Sequence, residues 1–368
     1  MRQVDTLVGL QWGSEGKGKI AGVLAGFYDA AVRTGAPNAG HTVEYDDVKY
    51  VMRSIPCGFG NPATKLFVGP GGLINLEVLA KELAQFPDGG KSILDRLYFD
   101  RNAGVISHSD IEEEEAVSMN LKNGSTAEGV GVAQAKKVLR RGDFQRIGST
   151  FNEPLFDGRV TDVAMLLRSI LNNGGAVLLE GTQGFGLCVN HGDYPFTTSR
   201  DVTSAALLSD AGLPPSSSRF TFGVMRTYPI RVAGNSGPMG DGAELNWPEI
   251  SARCGAPEGA IVEKTTVTKR IRRVSDIDWG FMKRSVAING PDGIFINFID
   301  YLDWSMHDAT DWDRITPKGR AFIERVEDTL EVPVLGVSTG AGARAMVWTP
   351  TWYNKFEGTM AEGRLALA

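Results

Sequence analysis

The 368-residue chain has no apolar run approaching the roughly 18 residues of a membrane-spanning helix, which excludes that class of membrane protein. Its amino terminus, Met1 to Asp5, enters an apolar strand pattern without the basic and long apolar regions of a secretion signal, so a cytoplasmic location is expected. No excess of positive charge is present: the formal net charge is −6, which argues against a nucleic-acid partner and leaves small anions as ligands. Cysteine is scarce. Cys57, Cys188 and Cys254 are an odd, widely scattered set that fits neither a disulfide framework nor zinc-ligand spacing, and they are expected to be buried or idle thiols. Repeats and low-complexity tracts are also missing, so residues 1–368 are read as one elaborated domain.

What is present is an alternation of short apolar runs with helical patterns, the mark of an α/β fold with a mainly parallel central sheet and flanking helices. Strands are expected at Thr6–Leu10, Ala30–Arg33, Lys65–Val68, Arg96–Phe99, Ala176–Leu179, Phe220–Val224, Gly293–Phe298 and Val334–Val337. Helices are expected at Ile20–Phe27, Leu76–Phe86, Asp110–Met119, Asp162–Leu171, Val202–Ala211 and Pro317–Leu330. The acidic run Glu112 to Glu115 follows Ser109-Asp110 and reads as a solvated first helical turn rather than a metal site.

The chemistry lies in the stretch Gln11-Trp12-Gly13-Ser14-Glu15-Gly16-Lys17-Gly18-Lys19, placed between a strand and a helix. Glycines there turn backbone N–H groups toward phosphate oxygens, the helix amino terminus adds partial positive charge, and Lys17 can neutralise a moving phosphoryl group. The usual pattern Gly-x-x-x-x-Gly-Lys-Ser/Thr fails at both ends, since Gln11 and Gly18 occupy its first and last positions.

This nonapeptide resembles the opening signature of adenylosuccinate synthetases. Asn38-Ala39-Gly40-His41-Thr42, Leu179 to Gly184, and His191-Gly192-Asp193-Tyr194-Pro195 resemble further signatures of that family. Ser125-Thr126, Arg140-Arg141-Gly142, the basic loop Thr266 to Arg273 and Ser338-Thr339-Gly340 follow in the expected order.

The resemblance implies a P-loop-like fold with small subdomains and a two-step ligase reaction with Mg2+. A triphosphate phosphorylates the purine 6-oxygen, and the amino group of L-aspartate then displaces that phosphate. Lys17 would stabilise the moving phosphoryl group, His41 would act as general acid, and Gly40 would offer its carbonyl to Mg2+. Gly13, Glu15, Gly16, Gly18, Lys19, Thr42, Ser338 and Gly340 would complete the triphosphate site. Asn38, Ala39, Ser125, Thr126, Gln183, Thr198 and Arg270 would hold the acceptor nucleotide. Arg140 would reach the acceptor phosphate of a neighbouring subunit, which implies a homodimer. Thr266, Val267, Thr268, Arg270 and Arg272 would hold aspartate, with Arg272 also near the donor phosphates, because arginine recognises carboxylates in a bidentate manner. Read without the resemblance, His41 is an ordinary structural histidine, Arg140 a surface charge and the basic loop a solvated segment.

Ser14 departs from the family pattern. Most members carry aspartate there, as general base on purine N1 and as an Mg2+ ligand, and a hydroxyl is not ionised near neutral pH. A base aimed at N1 of a 6-oxopurine sits beside C2, where guanine bears an amino group. Serine removes bulk at that point and leaves a hydrogen-bond acceptor. In this substitution the chain resembles the phage-encoded branch of the family, which implies dGMP as acceptor, or GMP, and 2-amino-2'-deoxyadenylosuccinate as product, made in the host cytoplasm. Ser14, with Gln183, then stands among the candidate catalytic residues. IMP remains the alternative acceptor, and a non-catalytic nucleotide switch the remote one. For the donor, Asp300 would pair with guanine, whereas Phe298 stands where guanine-reading relatives commonly have lysine and offers a stacking face indifferent to the base. The expectation is therefore ATP or dATP, with GTP less favoured.

Overall fold

The computed structural model describes residues 3–45, 47–117, 124–150, 154–264 and 270–360, with the side chains of residues 149 and 150 left aside. Ten strands form one sheet, in the spatial order Val160–Thr161, Leu97–Asp100, Lys65–Val68, Ala30–Arg33, Val177–Glu180, Val4–Gly9, Ser218–Arg226, Gly293–Asn297, Val334–Ser338 and Met346–Trp348. Every pairing is parallel except the last, where Met346–Trp348 runs antiparallel to Val334–Ser338.

A sheet of this kind is covered on both faces, so its central strands read as continuous apolar runs, and alternate residues enter different cores. Val4 and Val8 belong to one cluster and Leu7 to the other; Ile294 and Ile296 face the first, Phe295 the second. Each such side chain, once buried, contributes on the order of 1.5–3 kcal/mol relative to exposure.

The eight expected strands all exist. Ala30–Arg33 and Lys65–Val68 coincide with the reading, the expected Gly293–Phe298 ends one residue earlier, at Asn297, and the others shift or lengthen by one or two residues. The expected helix Ile20–Phe27 starts earlier, at Lys17, and tightens into a 3-10 turn at Ala25–Phe27. The sequence places Lys17 to Lys19 in the expected loop. In the structure both lysines lie in the first helical turn. Leu76–Leu83 is shorter than expected, Ser204–Asp210 is trimmed at both ends, and Pro317–Leu330 holds as read. The Asp110–Met119 helix is His108–Ala116, started by a Ser107–Asp110 capping box; Met119 lies outside the described residues. Its acidic face is not uniformly solvated: Glu114 is buried and accepts a hydrogen bond from Ser125 Oγ at 2.5 Å. The His41–Tyr45/Val48–Met52 hairpin and the helices Val130–Leu139, Trp247–Cys254 and Trp279–Asn289 were not anticipated.

Because the strands are parallel, their carboxyl ends share one edge of the sheet, where α/β folds bind ligands. Val4–Gly9 opens there into the Gly13–Lys19 stretch, Ala30–Arg33 leads to Asn38–His41, and Val177–Glu180 leads to Gln183. Gly293–Asn297 leads to Phe298 and Asp300, and Val334–Ser338 leads to Gly340. Motifs as far apart in the chain as Lys19 and Gly340, 321 residues, therefore meet along one line.

Candidate active site

The phosphate-type loop is held from inside. Gln11, one of the two residues that break the usual pattern, reaches strand Ser218–Arg226 and imitates a ladder partner. Its Nε2 donates to the Arg226 carbonyl at 3.1 Å, and its Oε1 accepts the Arg226 N–H at 3.0 Å. The fully buried Glu15 carboxylate accepts the N–H groups of Gln11 at 3.1 Å and Gly13 at 2.8 Å, and the Lys17 ammonium at 2.6 Å. Asn297 Nδ2 donates to the Glu15 carbonyl at 2.6 Å and pins the loop to the next strand. Gly13 and Gly16 adopt φ of 88° and 89°, a left-handed conformation in which a side chain is strained. At Gly16 a Cβ would also strike the Asn297 side chain. Gly16 caps Lys17–Leu24 without any side-chain acceptor, so the amino end of that helix stays available for an anion. Ser14 sits exposed at the loop tip with φ of 56°.

Lys17 Nζ also donates to the Gln183 carbonyl. Gln183 Nε2 in turn donates to Asn38 Oδ1 at 2.9 Å, and its Oε1 accepts from Thr182 Oγ1 at 2.7 Å. Three sequence-predicted residues from three strand ends thus converge. Lys19 donates to Ser338 Oγ at 2.7 Å and to the carbonyls of Gly340 at 2.8 Å and Ala345 at 2.7 Å. Burial pushes its ammonium down to about 8, against the attraction of Asp300, Asp308 and Glu44.

His41 belongs to a buried ionic cluster. Its Nδ1 lies 2.5 Å from Glu180 Oε1, an oxygen that also accepts from Arg33 Nη1 at 2.8 Å, while Glu180 Oε2 accepts the Cys57 N–H at 2.6 Å. Burial opposes ionisation of Glu180, yet the His41 hydrogen bond and charge and Arg33 hold its carboxyl below the usual range. Burial, reinforced by Arg33, depresses His41 to about 4. A short contact from an ionised carboxylate needs a proton on Nδ1, so the resting imidazole is neutral with a bare Nε2. An incoming anion would raise the imidazole's proton affinity. Glu180 and Arg33 were missed as site residues; a glutamate closing an otherwise apolar buried strand is the signal that could have found the first.

Arg226, also missed, is fully buried. Its Nη1 donates to the Ser14 carbonyl at 3.2 Å, its guanidinium pairs with Glu263, and its Cζ stands 4.2 Å over the Phe298 ring. Asp300 accepts from, or shares a proton with, His307 Nδ1 at 2.7 Å, and burial lifts its carboxyl to about 6.

The remaining predicted residues are more dispersed. Gly40, Thr42, Thr126, Arg140 and Arg270 are exposed, and Ala39 gives its carbonyl to Arg33 at 2.6 Å. Gly18 lies in the first helical turn, where a Cβ would stand 2.7 Å from that of His41. Ser125 is occupied by Glu114, and the partly buried Thr198 donates its N–H to the Leu187 carbonyl at 2.7 Å. Arg272 is half-buried against the Lys264 carbonyl. Thr266, Val267 and Thr268 lie outside the described residues.

The profile of the family described as adenylosuccinate synthetase matches residues 6–160 and 149–306. The chain belongs to the adenylosuccinate synthetase family. The adenylosuccinate synthetase of Methanococcus aeolicus is 37% identical over 340 residues, covering 91% of this chain and 96% of that protein. That of Archaeoglobus fulgidus is 35% identical over 346 residues, covering 93% and 96%. A fully ligated adenylosuccinate synthetase from Plasmodium falciparum has the same fold, with a TM-score of 0.81 at 22% identity over 95% of this chain and all of that one. A solved structure of cyanophage S-2L succinoaminodeoxyadenylate synthetase, bound to dGMP and to dATP as an energy donor, superposes with a TM-score of 0.79. It is 32% identical and covers 99% of this chain and 100% of its own. The protein is accordingly a carbon–nitrogen ligase of purine nucleotide synthesis that joins aspartate to a purine nucleotide, and its family uses a nucleoside triphosphate with Mg2+. Among the described residues no helix is long and apolar enough to cross a membrane.

Proposed function

We propose that this chain joins L-aspartate to C6 of dGMP, or GMP, with ATP or dATP as phosphoryl donor, to give 2-amino-2'-deoxyadenylosuccinate. The observation that carries this reading is Ser14 at the exposed tip of the phosphate-type loop. The loop backbone passes beside Gln183, where a Cβ on Gly13 would stand 3.8 Å from the Gln183 Cα. A hydroxyl at that tip leaves room for, and accepts from, a purine 2-amino group that a carboxylate would crowd. Likeness over nearly the whole chain to a cyanophage enzyme that binds dGMP and dATP supports the same substrates.

In the first step the bond from the γ-phosphorus to the bridging oxygen breaks, the phosphoryl group passes to the purine 6-oxygen, and the N1 proton goes to water beside Ser14 and Gln183. Lys17 leaves its pairing with Glu15 and Gln183 to follow the moving charge, and Lys19 and the open helix terminus hold the phosphates. His41 takes up a proton as the anion arrives and donates it to the bridging oxygen, while Glu180 holds its other nitrogen. In the second step the aspartate amino group attacks C6 and inorganic phosphate leaves. Arg270, Arg272 and the 266–268 segment would hold the two carboxylates. The oxygen donors on this edge fit Mg2+, which would take ligands from phosphate, water, the exposed Gly40 carbonyl and the Ser14 hydroxyl, and would neutralise developing phosphate charge. Phe298, stacked with Arg226, gives the donor base a face without a specific reader.

A homodimer is part of this reading. Arg140 ends the Val130–Leu139 helix in a left-handed cap, next to Val138 and Leu139, which are 66% and 67% exposed. Such an apolar pair beside a cation suits a subunit contact from which Arg140 extends to the neighbouring acceptor phosphate. A cytoplasmic setting, that of the host for a phage-encoded enzyme, completes the proposal.

The archaeal relatives favour a second reading, conventional adenylosuccinate synthetase acting on IMP with GTP. Purified protein with Mg2+, aspartate, ATP and either dGMP or IMP separates the two. Phosphate release with dGMP is expected; release with IMP alone rejects the assignment.

A further inference from the structure

Outside the phosphate-binding edge, a second group of metal-competent side chains converges. Cys188, His191 and Asp201 each offer a ligand atom, and those atoms all lie within 4.8 Å of one another. Cys188 Sγ already stands 3.4 Å from Asp201 Oδ1. In a tetrahedral zinc site with bonds of about 2.0–2.3 Å, ligand atoms are separated by roughly 3.3–3.8 Å, so a contraction of about 1 Å completes the triangle.

The three side chains are held by their surroundings as metal ligands commonly are. Phe185–Leu187 is a 3-10 turn, and the Cys188 carbonyl accepts the N–H groups of His191 at 3.3 Å and Gly192 at 2.8 Å, which folds the Cys-x-x-His segment back on itself. The His191 ring stacks on Phe185, with centroids 5.6 Å apart and planes 16° from parallel. Asp201 is oriented by Thr203, whose N–H and hydroxyl donate to Oδ1 at 2.9 and 2.8 Å, and by Asn190 Nδ2, which donates to Oδ2 at 3.1 Å. Cys188 is buried, while His191 and Asp201 are half-buried, so one side of the triangle faces solvent and gives an ion a path in. The nearby Arg284 spends its charge on the His191 carbonyl, 3.0 Å away, and on the Phe185 face.

We propose that Cys188, His191 and Asp201 form a binding site for a zinc-class divalent cation, with water as the fourth ligand. A sulfur, an imidazole nitrogen and a carboxylate oxygen are a borderline-soft set, unlike the all-oxygen surroundings that suit Mg2+. Binding replaces the Cys188 S–H bond with a sulfur–metal bond and releases that proton to solvent; thiolate and carboxylate together balance the ion's charge. The site is independent of the reaction proposed above. It would tether the Cys188 turn to Asp201 across the segment that carries Thr198, and so stiffen one wall of the acceptor region.

Metal-stripped protein, free of Mg2+ and nucleotide, is titrated with Co2+ and with Zn2+. The expected result is one equivalent of Co2+ with a thiolate charge-transfer band, displaced by Zn2+. Cys188→Ser, which keeps a hydrogen bond to Asp201, should abolish the band, and His191→Gln should weaken binding at least about tenfold. Cys57→Ser should leave both intact, which separates this site from the His41, Cys57 and Glu180 group. Circular dichroism of each variant shows that it is folded. No saturable binding by the unmodified protein, or a band that survives Cys188→Ser or disappears with Cys57→Ser, overturns the proposal.

Discussion

Glu180 holds His41 through Nδ1 at 2.5 Å while pairing with Arg33 at 2.8 Å, so the only free nitrogen of the proposed general acid is the one turned away from the carboxylate. The pairing supplies the countercharge that lets a buried imidazole take up a proton when phosphate arrives.

Glu180→Gln keeps the side-chain shape and removes that countercharge. We expect kcat to fall by about 10²–10³, within the range of lost general acid catalysis, with little change in the KM for aspartate. Steady-state phosphate release measures both, and turnover within twofold of the unmodified enzyme would remove Glu180 from the mechanism.

Lys17→Met withdraws the moving cation and leaves the buried Glu15 carboxylate without its ammonium partner. A loss of about 10²–10³ in kcat is expected from the missing charge. A stability loss of about 3 kcal/mol or more is expected from the unpaired anion. Kinetics and denaturant titration of the same preparation test the two parts separately.

Ser14→Asp restores the carboxylate at the loop tip. Activity on dGMP should fall at least about tenfold, as the 2-amino group meets a bulkier side chain, and the ratio of IMP to dGMP turnover should rise. An unchanged kcat/KM for dGMP would take Ser14 out of the explanation of specificity.

Lys19 gives a pH dependence of definite sign. Its folded-state value of about 8 lies below its usual value of 10.5, so in the free enzyme the ammonium is lost as pH rises through about 8. kcat/KM for the triphosphate should therefore decline above that pH. For stability the sign is opposite. The unfolded chain binds more protons between about 8 and 10.5, so the destabilising effect of this buried charge fades as pH rises across that window. A flat kcat/KM profile between pH 7 and 9.5 would show that bound phosphate does not depend on Lys19.

The local pattern of the chain was enough for the central strands, because strands buried on both faces read as largely apolar runs, as residues 7–9 and 293–296 do. It was less informative at boundaries. Lys17 and Lys19 sit in a helical turn whose start is set by Gly16 geometry and by Asn297, which is 281 residues beyond that glycine in the chain. The solvated reading of the acidic helix failed at Glu114, whose partner Ser125 is not on the same helix. Residues 266–268, expected to hold aspartate, lie outside the described residues.

The sequence alone determined the α/β class, the phosphate-type loop and the family, because each is written in contiguous residues whose backbone needs are local: glycines at positive φ, lysines after them, apolar strands before them. Only the tertiary structure decided which charges meet. Glu180 on His41, Arg226 between Ser14, Glu263 and Phe298, and Cys188 beside Asp201 all depend on strand order and register, since Coulomb forces and hydrogen bonds act over a few ångströms of space whatever the separation along the chain.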